Sequence, residues 1–227
     1  PELAAEVLAL WRNGEVLAAA GNRAEAARKW GMAAEQAAAS GAGAAAAWLE
    51  RAAGRLGDDT LVDSILDRAT AFAGKDPAIG AAVWQSRGES WERRGDLEAA
   101  EEAYREALAA RQRACGECLA MARLETDIGF VAQDRGDLDA AETAFRHALE
   151  LRDKLAAGTP LPAYSLNNLG GVLKAKGQLE AAESAQRRAL ALLEPLDPDG
   201  EDVAQALKLL GSVTYARGDV AEAHALG

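Results

Sequence analysis

The sequence predicts an all-α fold built from packed helix pairs. Apolar residues recur at helical intervals through the 227 residues, and no stretch alternates as a strand would. Only 5% of the residues are aromatic, and a core this rich in alanine and leucine suits closely spaced helices. Glycines also recur every 41 residues, at Gly88, Gly129, Gly170 and Gly211. This constant step predicts a repeated structural unit.

The stretch Trp84–Ala107 holds one complete copy of this unit. Its first half places Trp84, Gly88 and Trp91 on one helix face, and its second half repeats the same spacing. Gly88 has no side chain, so a neighbouring helix can approach closely there, which offsets the cost of glycine inside a helix. Gly95 suits the left-handed residue that ends a helix, and the aspartate after it can cap the next one.

This copy resembles the tetratricopeptide repeat. The family pattern W-x2-L-G-x2-Y…A-x3-F…P is similar to the run Trp84-x2-Arg87-Gly88-x2-Trp91 followed by Ala100-x3-Tyr104. Arginine replaces the leucine, tryptophan replaces the tyrosine, and the terminal proline is absent. The 41-residue step and the second-helix blocks EAAEEAYREALAAR, DAAETAFRHALELR and EAAESAQRRALALL are similar to the long repeats of kinesin light chains and many bacterial proteins.

The resemblance implies a right-handed α-solenoid of about six antiparallel helix pairs. It covers residues 1–227 as one domain, in which each pair completes its core by stacking on its neighbours. The second pair is degenerate, because Glu50 takes the position of the packing glycine and Gly57-Asp58 forms the turn. The last pair is incomplete. The predicted pairs span residues 4–39, 43–73, 78–114, 119–156, 160–195 and 201–227.

In this family the first helix of each pair lines a concave channel, so its surface positions are candidates for partner binding. The fourth pair supplies Arg123, Thr126, Asp127, Phe130, Gln133 and Asp134. The fifth pair supplies Tyr164, Asn167, Asn168, Gly171 and Lys174, and the sixth supplies Gln205, Lys208, Leu209, Ser212 and Tyr215. An asparagine amide can donate to a peptide carbonyl and accept from its N–H, which makes Asn167 the first candidate.

Some of these residues also have structural interpretations. Asn167 and Asn168 could bridge adjacent helices, and Phe130 and Tyr164 could belong to the core. Trp11 and Trp48 fall at the same nominal surface of the first two pairs, where either an aromatic hot spot or a packed end cap would explain them. Binding of chaperone tails is disfavoured, because the lysine, asparagine and arginine set that grips a C-terminal carboxylate in similar proteins is incomplete.

Cys115 and Cys118 form the only metal-like or redox-like spacing. A zinc site needs four ligands, and the chain adds only two isolated histidines, His147 and His224. We therefore expect free thiols in a segment that links two helices, with a labile disulfide or an intermolecular metal site as alternatives. The histidines are expected at the surface, because no serine, cysteine or aspartate constellation accompanies them.

Acidic residues recur at Glu101, Glu142 and Glu183, and solvated helix faces that complement the helix dipole explain them. The repeat accounts for every glycine, so no phosphate-binding loop is expected. The sequence predicts no catalytic residue, no cofactor and no metal site. The protein is not expected to be an enzyme.

The chain carries a formal net charge of −11, which disfavours nucleic acid and anionic membrane surfaces as partners. No stretch approaches the ~20 apolar residues of a membrane span, and no secretory signal opens the chain. A cytoplasmic location is expected.

The leading hypothesis is a scaffold or adaptor that binds a peptide or helix of a partner protein in its concave channel. The alternative is a regulatory or sensor arm of a larger bacterial effector, a protease or kinase, whose channel closes on its own catalytic domain. The abrupt ends at Pro1 and Gly227 motivate that alternative. A third hypothesis is a small-peptide receptor of the quorum-sensing kind. It is disfavoured because this sequence contains no DNA-binding domain.

Overall fold

The computed structural model describes residues 5–39 and 76–226, and within them the chain is helical with no strand. The all-α prediction is confirmed for this part of the chain. The predicted second pair, residues 43–73, lies outside it, as do Trp48 and Glu50. The helices are α1 Ala5–Ala19, α2 Arg23–Ala39, α3 Pro77–Arg94, α4 Leu97–Cys115, α5 Leu119–Asp134, α6 Leu138–Leu155, α7 Leu161–Ala175, α8 Leu179–Leu193, α9 Glu201–Arg217 and α10 Val220–Ala225.

The chain divides into two compact units, an N-terminal unit Pro1–Gly116 and a C-terminal unit Glu117–Gly227. In the N-terminal unit α1 packs on α2, and α3 packs on α4. In the C-terminal unit each of the helices α5 to α10 packs on the next, and α7 also contacts α9. Such contacts between successive helices are those of stacked helix pairs. The continuity of one solenoid over residues 1–227 stays a prediction.

The turn inside each helix pair is fixed by the predicted glycine. Gly95 ends α3 with a φ of 79°, and its equivalents Gly136, Gly177 and Gly218 have φ of 80°, 75° and 94°. The side chain of Asp96 then accepts a hydrogen bond from the Ala99 amide at 3.2 Å, which caps α4. The glycine stop and the aspartate cap are both confirmed.

The second recurring glycine lets the two helices of a pair approach each other. A Cβ added at Gly88 would lie 2.5 Å from the Tyr104 ring, and one added at Gly129 would lie 2.5 Å from the Phe145 ring. Real Cβ atoms essentially never come so close. The predicted packing role is therefore confirmed at Gly88 and Gly129, where a slot over the glycine takes a large side chain from the second helix. At Gly211 an added Cβ would come no closer than 3.5 Å to another atom, so the close approach is not found there.

In the fifth pair this slot holds Gln186 instead of a ring. Gln186 is 1% exposed and lies against Gly170. Its Nε2 donates to the backbone carbonyl of Asn167 at 3.2 Å, while its Oε1 is buried without a partner. Around this slot, Leu166, Leu169 and other residues of α5 to α9 form one apolar core cluster of the C-terminal unit.

The recurring glutamates do not lie on solvated faces, and that prediction is wrong for two of the three. Glu101 is 5% exposed and Glu183 is 3% exposed. Glu183 pairs with Arg187 on its own helix and with Arg217 at the end of α9. In the C-terminal unit a basic residue from the following pair therefore reaches the carboxylate at this position, as Lys176 also does at Glu142.

Candidate functional site

The predicted surface positions of three first helices lie together around one groove in the C-terminal unit. The groove has a volume of about 350 Å³ and is formed by α5, α7 and α9. Every residue that lines it was a candidate from the sequence. The lining consists of Phe130, Gln133, Tyr164, Asn167, Asn168, Gly171, Gln205 and Leu209.

Two hydrogen bonds from α7 to α9 lie at opposite ends of this run. The Tyr164 hydroxyl donates to Asp202 Oδ2 at 2.7 Å, and this bond to a carboxylate raises the pKa of Tyr164. Ten residues on, Lys174 Nζ donates to Ser212 Oγ at 2.5 Å. The groove residues of α7 therefore lie between two hydrogen bonds that join α7 to α9.

Asn167 lies midway along the groove and is half-buried. Its side-chain Oδ1 is buried without a hydrogen-bond partner, and an unpaired buried acceptor costs roughly 1–3 kcal/mol. Within the described residues no hydrogen bond joins the Asn167 or Asn168 side chain to an adjacent helix, so the helix-bridging alternative is not observed. Because this oxygen is closed to solvent, an incoming N–H could reach it only after the Asn167 side chain turns toward the groove.

Phe130 is not a core residue, because 42% of its surface is exposed. Its ring packs edge-to-face on Phe145, with the centroids 5.3 Å apart, and this contact holds it at the groove. Tyr164 is half-buried. Gly171 is exposed, and a Cβ added there would meet nothing within 4 Å. The expectation that the repeat accounts for every glycine is therefore wrong at Gly171.

The remaining predicted residues do not line the groove. Thr126 is buried, and its hydroxyl donates to the Ala122 carbonyl of its own helix at 2.8 Å, so it is not a surface position. Asp127 is half-buried; burial lowers the pKa of the Arg152 guanidinium, and the Asp127 carboxylate partly opposes that lowering. Four others are exposed outside the lining: Arg123, Asp134, Lys208 and Tyr215.

The family profile described as MalT-like TPR region matches residues 75–226. The chain belongs to the tetratricopeptide repeat family. No curated protein matches the chain. The tetratricopeptide interpretation of the sequence is confirmed.

Solved structures share this tetratricopeptide fold. BtubC (BKLC) from P. vanneervenii is similar at 22% identity and a TM-score of 0.73, over 100% of this chain and 88% of that one. A STAND protein with a tetratricopeptide repeat sensor from Pyrococcus horikoshii has 12% identity and a TM-score of 0.73, over 97% and 34%. The Rap conjugation gene regulator of plasmid pLS20, in complex with the Phr* peptide, has 17% identity and a TM-score of 0.56, over 68% and 42%. These likenesses concern the fold.

Two lysines on α7 and α9 differ from most basic residues of the C-terminal unit. Lys176, Arg187 and Arg217 each pair with a carboxylate. Lys174 has only the Ser212 hydroxyl, and Lys208, one turn before Ser212 on α9, has no ion pair within the described residues. Two cations without a carboxylate partner therefore lie on α7 and α9.

The cysteines are not free thiols, so that prediction is wrong: Cys115 and Cys118 are both disulfide-bonded. His147 is exposed, as expected, and its Nδ1 lies 3.5 Å from Glu125, a carboxylate whose pKa burial raises. Among the described residues no group of histidines, cysteines and acids could hold a metal ion. None of the described helices is long and apolar enough to cross a bilayer.

Two residues that shape the groove were missed in the sequence. Asp202 fixes Tyr164, but it falls outside the repeat positions expected to face the channel. Gln186 holds the Asn167 carbonyl and had a readable signal: it stands exactly one repeat after Phe145 and two after Tyr104, where a ring is expected.

Proposed function

We propose that the C-terminal unit is an interaction module that binds an extended segment of a partner protein in the α5–α7–α9 groove. The observation that carries this proposal is a groove lined by polar and aromatic side chains of three first helices, Asn167 among them, between two α7–α9 contacts. Tetratricopeptide repeats generally serve as non-catalytic interaction modules with extended concave binding surfaces. The proposal assumes the cytoplasm as the compartment, on the sequence grounds given above.

The chemistry of Asn167 favours an extended segment over a helix. The N–H groups of a helix are already bonded within it, whereas an extended segment presents free N–H groups. From Tyr164 to Lys174 the helix α7 rises about 15 Å, the length of about four to five extended residues. Support also comes from the Rap regulator, a similar fold determined in complex with a peptide.

The test selects binders from a phage-displayed library of random peptides on the whole chain and measures their affinity. We expect peptides whose affinity falls about tenfold or more in the double variant Asn167→Ala, Lys174→Ala, since both groups would contact the segment. The matched control is Gln178→Ala, an exposed amide in the turn before α8 that makes no cap bond. Circular dichroism checks that all variants are folded. Selected peptides that bind the double variant unchanged would place the site elsewhere.

A second candidate function is a sensor or regulatory arm of a larger bacterial effector. The similar STAND protein favours it, because its tetratricopeptide repeats are described as a sensor and this chain matches 34% of that protein. The same groove would then bind a segment of the protein's own catalytic domain. The complete coding sequence decides between the candidates: a reading frame without a protease, kinase or ATPase domain contradicts the arm.

A further inference from the structure

We propose that the bound segment places an arginine or lysine side chain in a second pocket, beyond the Tyr164 end of the groove. This pocket lies beside the connection from α8 to α9 and has a volume of about 450 Å³. The inference rests on the proposed function and adds the charge of the partner at this point. It follows from the apolar floor of the pocket, its acidic rim and its position next to the groove.

The floor of the pocket is apolar. Leu193, the last residue of α8, is 2% exposed, and Val203 in the first turn of α9 is 6% exposed. Pro160, which precedes α7, is half-buried in the same lining. Leu196 also lines the pocket but exposes 49% of its surface. A side chain with a long apolar stem would cover part of this exposed leucine.

Carboxylates form the rim of the pocket, and no basic side chain lines it. The three acids are Asp197, Glu201 and Asp202, and all are exposed. Asp202 accepts the hydrogen bond from Tyr164, but the carboxylates of Asp197 and Glu201 have no ion pair or hydrogen bond within the described residues. Gly200 leaves room for one of them, because a Cβ there would lie 2.6 Å from Asp197 Oδ2. The rim therefore carries negative charge that the described part of the chain does not neutralise.

Arginine and lysine have the chemistry that fits this floor and rim. Their methylene stems lie on apolar surface while the charged head stays at the edge, in water. A head between Asp197 and Glu201 would pair with both carboxylates. The planar guanidinium favours arginine over lysine, since its fork can bond two oxygens at once. The formal net charge of −11 also attracts a basic segment over a longer range.

One hydrogen bond connects this pocket to the groove. Tyr164 lines the groove, Asp202 lines the pocket, and the tyrosine hydroxyl donates to Asp202 Oδ2 at 2.7 Å. Along α9 the distance from Gln205 in the groove to Glu201 in the pocket is about 6 Å, the length of about two extended residues. A segment that passes Asn167 therefore reaches the pocket within about two or three residues.

The same peptide selection tests this pocket. We expect the selected peptides to carry an arginine or lysine. The charge variant Asp197→Asn, Glu201→Gln keeps the size of both side chains and removes their charges, so it should weaken these peptides about tenfold or more. The matched control is Glu194→Gln, Asp199→Asn, which removes the same charge from exposed positions of the same connection outside the lining. Circular dichroism checks that both variants are folded.

The apolar floor has its own pair of variants. Leu196→Ala should weaken the selected peptides about threefold, because the stem loses its contact. The matched control is Leu155→Ala, since Leu155 stands one repeat earlier, is 38% exposed and lies outside the pocket. Replacing the basic residue of a peptide with glutamine should make its affinity for the wild type and the charge variant almost equal. A peptide whose glutamine derivative still loses tenfold in the charge variant contradicts the charge pairing.

The outcomes separate this inference from the proposed function. Peptides that depend on Asn167 and Lys174 but carry no basic residue, or that lose equally in the charge variant and its control, overturn the inference and leave the groove standing. A whole chain that dimerises, and becomes monomeric in the charge variant, would assign the pocket to a second copy and also overturn it. If no selected peptide depends on Asn167 and Lys174, the proposed function fails and the inference fails with it.

Discussion

Glycine serves opposite purposes at two positions of the first helices. Gly129 gives way to the Phe145 ring, whereas Gly171, adjacent to the packing glycine of the next pair, faces open space. The two glycines cannot be told apart by residue type or by helix propensity, since both cost about 1 kcal/mol relative to alanine. They differ in repeat register, since only Gly129 stands in the 41-residue series, and in what a Cβ would meet.

Alanine substitution should therefore move stability in opposite directions at these positions. Gly129→Ala forces a methyl group into the Phe145 ring and should lower the free energy of unfolding by about 1–3 kcal/mol. Gly171→Ala should raise it by up to about 1 kcal/mol. Urea unfolding followed by circular dichroism measures both changes. A loss of stability in Gly171→Ala would show that this glycine has a packing role after all.

Gln186 is a polar residue in a slot that holds rings elsewhere, and its Oε1 lacks a partner. Gln186→Met keeps the length of the side chain and removes the unpaired acceptor, so the free energy of unfolding should rise by about 1 kcal/mol. Chemical denaturation gives the value. A clear decrease would mean that the hydrogen bond to the Asn167 carbonyl outweighs the orphan acceptor.

At the scale of elements, ion pairs join successive helix pairs, and equivalent ion pairs recur one repeat apart. Lys176 follows α7 and binds Glu142 Oε2 on α6 at 2.5 Å; one repeat later, Arg217 binds Glu183. The Lys176 ammonium, with help from Arg146, holds the pKa of Glu142 below its ordinary value of 4.5. These ion pairs join each of the two helix pairs to the next one, in addition to the apolar contacts between them.

The lowered pKa of Glu142 predicts a pH dependence. Its contribution to stability is complete above the ordinary pKa of 4.5 and is lost as the pH falls through the lower pKa of the folded state. Lys176→Met should therefore lose less stability than the wild type over this acidic range. The control is Lys154→Met, which breaks an exposed pair with Glu117. Urea titrations at several pH values give the free energy of unfolding. If it falls equally with pH in the wild type and in Lys176→Met, the Lys176–Glu142 pair does not stabilise the fold.

At the scale of the whole molecule, the C-terminal unit has a core of its own. Its apolar cluster draws on α5 to α9, and its groove uses residues of α5, α7 and α9 alone. In repeat folds stability is a sum of the pairs and their neighbour contacts. The unit that carries the groove therefore has the contacts needed to fold by itself.

A fragment of residues 117–227, with Cys118→Ser to avoid an unpaired thiol, should fold on its own. We expect a helical circular dichroism spectrum, a cooperative unfolding transition and peptide affinity close to that of the whole chain. A fragment that is unstructured, or folded but unable to bind peptides that the whole chain binds, contradicts this expectation.

Much of the architecture could be predicted because residues close together in the sequence specify the repeat. The step of 41 residues located the packing glycine, the turn glycine and the aspartate cap, and each depends on its own backbone and one nearby partner. The family resemblance then indicated the helix face from which the groove is built. Thr126 is an exception to this position rule. Its repeat position predicts a surface residue, but it is buried and its hydroxyl donates to the Ala122 carbonyl.

By itself the sequence determined the helix pairs, their turns and the family, because 3.6-residue periodicity, glycine and capping residues act over one or two helical turns. Only the tertiary structure decided which residues meet across pairs: buried Glu183 with Arg217 one pair on, Tyr164 with Asp202, the unpaired Asn167 acceptor and the open space at Gly171. These depend on the stacking of α5, α7 and α9, and residues some 38 apart carry no local signal of that contact.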